Sequence, residues 1–246
     1  MPDYRFYKLS TKELAVSVLV YAAGAVALMI LFYDRWYIAI AAAPGIVPYL
    51  KAVRAEKAEK RRRNLTYDFR DALDSLSVSL KAGYSVENAF PAAARDLAAI
   101  LGRDADITKE MQYISRQSAL SIPVENLISD FAYRSGSEDI QNFAAVFTAA
   151  KRLGGNMPAI IRSAADSIGG KIDVSREIET TLSAKQMEQK IMMVMPCCII
   201  IYMRLSSPGF LDQMYTTLLG AVVMSACLIG YGAAVYWSSK IVKIEV

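Results

Sequence analysis

Histidine is absent from this 246-residue chain. That removes the commonest general base, the Ser-His and Cys-His nucleophile pairs and most zinc sites. Cysteine is scarce, and Cys197, Cys198 and Cys227 all fall in apolar runs. Adjacent cysteines rarely bridge, and thiols in such runs act as small hydrophobes, so packing is their expected role. A dominant charge is missing too: the net charge is +4, which gives no reason to expect nucleic acid as a partner. No stretch alternates with a strand period for long, so sheet is not expected. KRLGGN has paired glycines but not the lysine and hydroxyl spacing of a phosphate loop. Asp68, Asp71 and Asp74 stand at i, i+3 and i+6 beside Arg70 and Lys81. They lack the alternating ligand loop of a calcium site, and a solvated helix face favoured by the macrodipole explains them better. No acid lies deep in an apolar run, so a proton or cation pathway is not indicated. The expected inventory is therefore no catalytic residue, no cofactor and no metal site.

What the chain has in excess is apolar residues, 54% of the total, concentrated toward its two ends, while the 21% that are charged collect in the middle. Leu14 to Tyr33 is long enough, at about 30 Å as a helix, to cross a bilayer core. Asp34 and Arg35 make a tight polar break. Trp36 to Leu50 follows, with aromatics suited to a membrane interface but with Pro44 and Pro48 inside it. Lys51 to Arg63 then carries seven cations against Glu56 and Glu59, which marks the cytoplasmic side and suits contact with anionic lipid, the sharper alternative being an electrostatic docking site for an acidic partner. Near the other end, Ile191 to Leu205 and Thr217 to Trp237 are two further apolar runs, joined by a loop without lysine or arginine. Lys240 and Lys243 return the tail to the cytoplasm.

The middle reads as about six helices. Phe69, Leu73, Leu76 and Leu80 fall on one face of the first, which ends at Gly83. Val86 to Leu101 is the second. Thr108 is placed to cap a third that runs through Met111, Ile114 and Leu120. Pro123 opens a fourth, and Ser137 caps a fifth with Ile140, Phe143 and Phe147 on its inner face. The sixth follows Asn156 and is interrupted by Gly169 and Gly170, either a hinge or a point of close packing. Short turns between these helices make neighbours antiparallel. The fold class expected is an all-α membrane protein: a cytoplasmic antiparallel bundle of about six helices with two N-terminal and two C-terminal transmembrane helices. Its parts are an N-terminal hairpin (1–53), a basic linker (54–64), the bundle (65–190), a C-terminal hairpin (191–239) and a cytoplasmic tail (240–246).

Two turns in the middle share a design. In KAGYSVENAF, Gly83 closes one helix and Ser85 starts the next; in KRLGGNMPAII, Gly154 and Gly155 close a helix and Asn156 caps its successor. A third, weaker copy is ALSIPVENLI, in which Val-Glu-Asn recurs at 124–126 after 86–88.

These turns, in this order and between these apolar segments, resemble the signature turns of the type II secretion F-domain family. The likeness is nearest to the single-domain, TadB-like branch of the Tad/Flp pilus systems, and the ending fits too: a short outer loop, Thr216-Thr217-Leu218-Leu219-Gly220, a last span and a basic apolar tail. The resemblance covers roughly 65–246 and, more loosely, the N-terminal hairpin. It implies a multi-pass platform protein of the bacterial inner membrane, with both termini and the bundle cytoplasmic. The platform would couple a cytoplasmic hexameric secretion ATPase to extrusion of pilin subunits for a type IV-like pilus. A second, TadC-like F-domain protein, membrane lipid and a homo- or hetero-oligomer are the other partners so implied. Gly83, Ser85, Gly154, Gly155 and Asn156 carry over as residues that set helix-turn geometry. Ser121 stands where the family commonly has glycine, Leu218 where it often has proline, and Gly169-Gly170 where its helix is usually continuous. A small membrane transporter or channel component is the alternative; it would need polar residues along a pathway inside the spans, and these are sparse.

Overall fold

The computed structural model describes residues 2–5, 10–33, 45–207 and 217–244. Among these the regular structure is helical, in eight helices: α1 (Thr11–Tyr33), α2 (Ile46–Lys81), α3 (Val86–Ile100), α4 (Asp106–Ala119), α5 (Val124–Ser135), α6 (Glu138–Leu153), α7 (Met157–Ser206) and α8 (Leu218–Ile244). The chain forms two compact units. The first comprises Met1–Lys8 and Val53–Val174, the second Leu9–Ala52 and Ser175–Val246.

The first unit contains the six helices expected of the middle: most of α2, all of α3 to α6, and the start of α7. Each contributes an apolar face at helical spacing to a single core. Phe69 lies at its centre. Its ring meets Phe131 of α5 at 5.9 Å and Phe143 of α6 at 5.3 Å, the latter edge to face, and Phe143 meets Phe147 at 5.6 Å. Burying an aromatic side chain of this kind contributes roughly 1.5–3 kcal/mol, and the edge-to-face pair adds about 1 kcal/mol.

Several local expectations need correcting. Thr108 caps nothing: α4 begins at Asp106 after Ala105, and Thr108 is fully buried. The helix also stops before Leu120, which points to solvent rather than into the core. Ser137 occupies the N-cap position of α6, but its hydroxyl bonds Thr66 at 2.9 Å instead of a free backbone amide. Gly169 and Gly170 do not interrupt the sixth helix, because α7 runs unbroken from Met157 to Ser206. A Cβ at Gly169 would lie 3.1 Å from Nε of Arg70, whereas one at Gly170 would meet nothing. Close packing therefore accounts for the first glycine only. The basic stretch at 54–64 is helical, continuous with both flanks of α2.

In the second unit, α7 and the Val222–Lys240 stretch of α8 are long and apolar enough to cross a membrane. The Tyr231 hydroxyl of α8 donates to the Met193 carbonyl at 2.6 Å, and the Arg204 guanidinium donates to the Ile30 carbonyl of α1 at 3.3 Å. Most large apolar side chains of these stretches, Ile191, Met192, Val222, Ile229 and Trp237 among them, face outward, as lipid-facing residues would. Cys197, Cys198 and Cys227 are free thiols. The Asp34–Arg35 break, most of the 36–50 run and most of the 206–216 loop lie outside the described residues.

Candidate functional site

The three turns that the sequence sets apart have one backbone design. The residue that closes the helix is left-handed in each: Gly83 at φ 89°, Ser121 at φ 64° and Gly154 at φ 71°. The amide after it then donates to the carbonyl five residues back, from Tyr84 to Ser79, from Ile122 to Gln117 and from Gly155 to Ala150. This is the Schellman closure, which satisfies helix-end carbonyls that have no partner within the helix. The residue before the next helix completes the turn. Ser85 Oγ accepts from the Asn88 amide at 3.3 Å, and Asn156 Oδ1 from the Ala159 amide at 3.2 Å. Pro123 has no side-chain acceptor, and its carbonyl takes the amides of Asn126 and Leu127. Gly155 departs from the expected left-handed pair, since only Gly154 has positive φ there. Space there is limited, as a Cβ on it would lie 3.3 Å from Cδ1 of Ile160.

The three turns gather at one end of the first unit, where Glu87 after the first turn and Glu125 after the second both reach Lys151 before the third. Lys151, in the last turn of α6, ties them together. Its Nζ donates to Glu87 Oε1 and to Glu125 Oε2, both at 3.0 Å. Glu87 and Glu125 are the same position in the two Val-Glu-Asn copies. Each carboxylate is held below its ordinary range, first by its own main-chain amide, free in a first helical turn, and then by Lys151. Burial works against the charge on Lys151, but its hydrogen bonds to Glu125 and Glu87 outweigh that and raise its pKa. Around this triad Tyr84, Leu120, Ile122 and Leu153 expose large apolar side chains.

The opposite end of the first unit holds a network that sequence reasoning missed. Tyr4 is buried there, its hydroxyl donating to Glu110 Oε1 at 2.9 Å and its amide to the Arg134 carbonyl at 3.0 Å. Arg134 grips the same carboxylate with two bonds of 2.7 and 2.8 Å, and it reaches the Pro2 carbonyl at 3.2 Å. Arg61 pairs twice with Asp106, at 2.7 and 2.8 Å, and stacks over the Tyr4 ring. Burial, then the Glu110 charge, pushes the Tyr4 phenol well above its ordinary range, so it stays a donor. One signal was present. Glu110 shares a helical stripe with Ile107, Met111 and Ile114, and an acid on an apolar face needs a buried partner.

Asp68, Asp71 and Asp74 do not converge on a common centre. Asp74 pairs with Arg70 and Arg162. Asp68 is half-buried, and burial followed by repulsion from Asp71 and Asp106 raises its pKa. Among the described residues no group of three or more His, Cys, Asp or Glu side chains is placed to hold a metal ion. An open groove of about 760 Å³ between α5 and α6, with Tyr133, Ala144, Thr148 and Arg152 on its walls, brings together no set of reactive groups. No protein-family model, curated protein or solved structure matches the chain.

Proposed function

We propose that this chain is an inner-membrane platform protein for assembly of a Tad/Flp type IV-like pilus or a related secretion system. In this reading a cytoplasmic secretion ATPase acts on the six-helix unit, and the motion is passed to pilin subunits at the membrane. The observation that carries the proposal is the recurrence of one helix-closing turn at Gly83, Ser121 and Gly154, all at one end of a compact helical unit. The turns at Gly83 and Gly154 are the two through which the sequence resembles the F-domain family; the one at Ser121, where that family commonly has glycine, repeats their backbone.

Two further features support it. The helix α7 begins in the six-helix unit and continues without a break into a segment apolar enough to cross a membrane. A continuous helix transmits a push or a rotation along its axis without a compliant joint. Residues 2–5 pack in the same unit as the bundle, and the basic Lys51–Arg63 stretch supports a cytoplasmic placement of that unit by the positive-inside rule. The chain is read as an assembly protein rather than an enzyme, with a second F-domain protein as its companion.

Affinity purification of the tagged chain from its native membrane, followed by mass spectrometry, tests the proposal. Recovery of a secretion-type ATPase, a second F-domain protein and a small pilin is the expected result. If those partners are expressed but absent after gentle crosslinking, the platform reading fails.

A further inference from the structure

The three-turn end presents more apolar surface than its folding requires. Leu153 is 86% exposed, Leu120 70%, Tyr84 50% and Ile122 38%. A Schellman closure needs a left-handed residue and favours an apolar residue just after it, which accounts in part for Tyr84 and Ile122. It makes no demand on the residue just before. Yet Leu120 and Leu153 occupy that same outward position in two of the turns. A lone exposed leucine needs no explanation, but four large apolar side chains on adjoining turns do.

Charge at this end is unbalanced: four cations, Lys81, Arg116, Lys151 and Arg152, stand against two acids, Glu87 and Glu125. Lys81, Arg116 and Arg152 lie exposed in the last turns of α2, α4 and α6, where the helix dipole favours cations. The acids of these turns, Glu87 and Glu125, are both engaged by Lys151. The outward field is therefore positive around an apolar centre. Two copies meeting end to end would set cations against cations. The end also lies about 27 Å along α2 from Arg63, the last cation of the basic stretch, by the rise of a helix. That is about three screening lengths from lipid met at Arg63.

We propose that the three-turn end, centred on Leu120 and Leu153 and rimmed by Lys81, Arg116 and Arg152, docks a soluble protein whose matching face is acidic and carries exposed apolar side chains. The proposal rests on the assembly reading for the existence of a soluble partner, and it adds the surface and the chemistry of the contact.

The test is site-specific photocrosslinking of the full-length chain in its native membrane. A benzophenone residue replaces Leu120 or Leu153 and, as a control, Ile100, which is 69% exposed at the opposite end of the unit. The adducts are sequenced to the crosslinked peptide. The expected result is one soluble protein captured through an acidic segment from both Leu120 and Leu153. The combined reversal Lys81→Glu and Arg152→Glu should cut that yield about tenfold. Adducts only to lipid or to a second copy, equal capture from Ile100, or indifference to charge reversal would each overturn the proposal. The two readings fail separately. An acidic partner with no part in secretion, captured from Leu120 and Leu153, keeps the docking surface and removes the platform role. A secretion ATPase captured only through Ile100 does the reverse.

Discussion

Tyr4 donates its hydroxyl proton to Glu110 Oε1 at 2.9 Å, which fastens the fourth residue of the chain to the second turn of α4. The carboxylate is fully buried, and Arg134, its charge partner, is 12% exposed. Removing one member of such a pair costs more than the pair contributes, because the remaining charge stays in a poor solvent. Glu110→Ala is therefore expected to lose about 3 kcal/mol. Tyr4→Phe, which leaves Arg134 and Glu110 paired, should lose about 1 kcal/mol. Thermal unfolding of the purified full-length chain followed by circular dichroism checks the order. Equal effects, or a neutral Glu110→Ala, would remove the network as a source of stability.

The Lys151 triad sets a pH window. Glu87 and Glu125 sit below their ordinary 4.5, so their contribution is complete above about pH 4.5 and is lost as pH falls through the lowered values. Lys151 sits above its ordinary 10.5, so its contribution is complete below that pH and is lost as pH rises through the raised value. Without histidine, no side chain of ordinary pKa titrates between about pH 5 and 8. The gap in Tm between the native chain and Lys151→Met should thus stay constant from about pH 5 to 10 and narrow on either side. A gap that persists unchanged to pH 3 would show that the two carboxylates contribute through something other than charge.

Ser121 is the one described non-glycine residue with positive φ, at 64°. A side chain in left-handed backbone costs about 1 kcal/mol. Ser121→Gly should therefore raise stability slightly, the flexibility gained by the unfolded chain offsetting part of the relief. Gly83→Val and Gly154→Val should each lose about 2 kcal/mol. Nothing lies within 4 Å of a Cβ built on either glycine, so the loss is conformational and not a clash. Urea unfolding of the three variants checks this. A valine variant as stable as the native chain would refute the left-handed closure.

Helix faces and turn ends were legible in the sequence because both depend on neighbours a few residues away. Phe69, Leu73 and Leu76 fall on one stripe, and Gly83 marks its end. Pairings across long stretches of chain were not legible. The partners of Glu110 lie 24 and 106 residues away, and Tyr4 sits in a short N-terminal stretch with no helical or strand pattern to signal burial. The cap expected at Thr108 failed for a related reason: its hydroxyl is in the core, where the fold puts it one turn into α4. Of the candidate site, the matching turns were visible in advance. Their convergence on Lys151 was not, since nothing local in α6 singles that lysine out from Arg152.

The glycine pair in α7 separates helix stiffness from packing. Gly170→Ala places a methyl group in open space on an unbroken helix, so it should stabilise by about 1 kcal/mol. Gly169→Ala brings the same propensity gain, but its Cβ would press on Nε of Arg70 at 3.1 Å, so its net gain should be smaller. Arg70 is a long side chain on the surface of α2 and yields by rotation, so the second variant should still fold. Under the proposed platform role, if transmission along α7 needs a bend at this point, the double variant would be more stable in a melt and yet fail to build pili. If α7 acts as a rigid rod, as its continuity suggests, piliation should be normal and stability raised. Electron microscopy of cells carrying Gly169→Ala and Gly170→Ala, together with thermal unfolding of the purified protein, tells the two apart. Loss of pili with unimpaired stability would restore the hinge and overturn the rod.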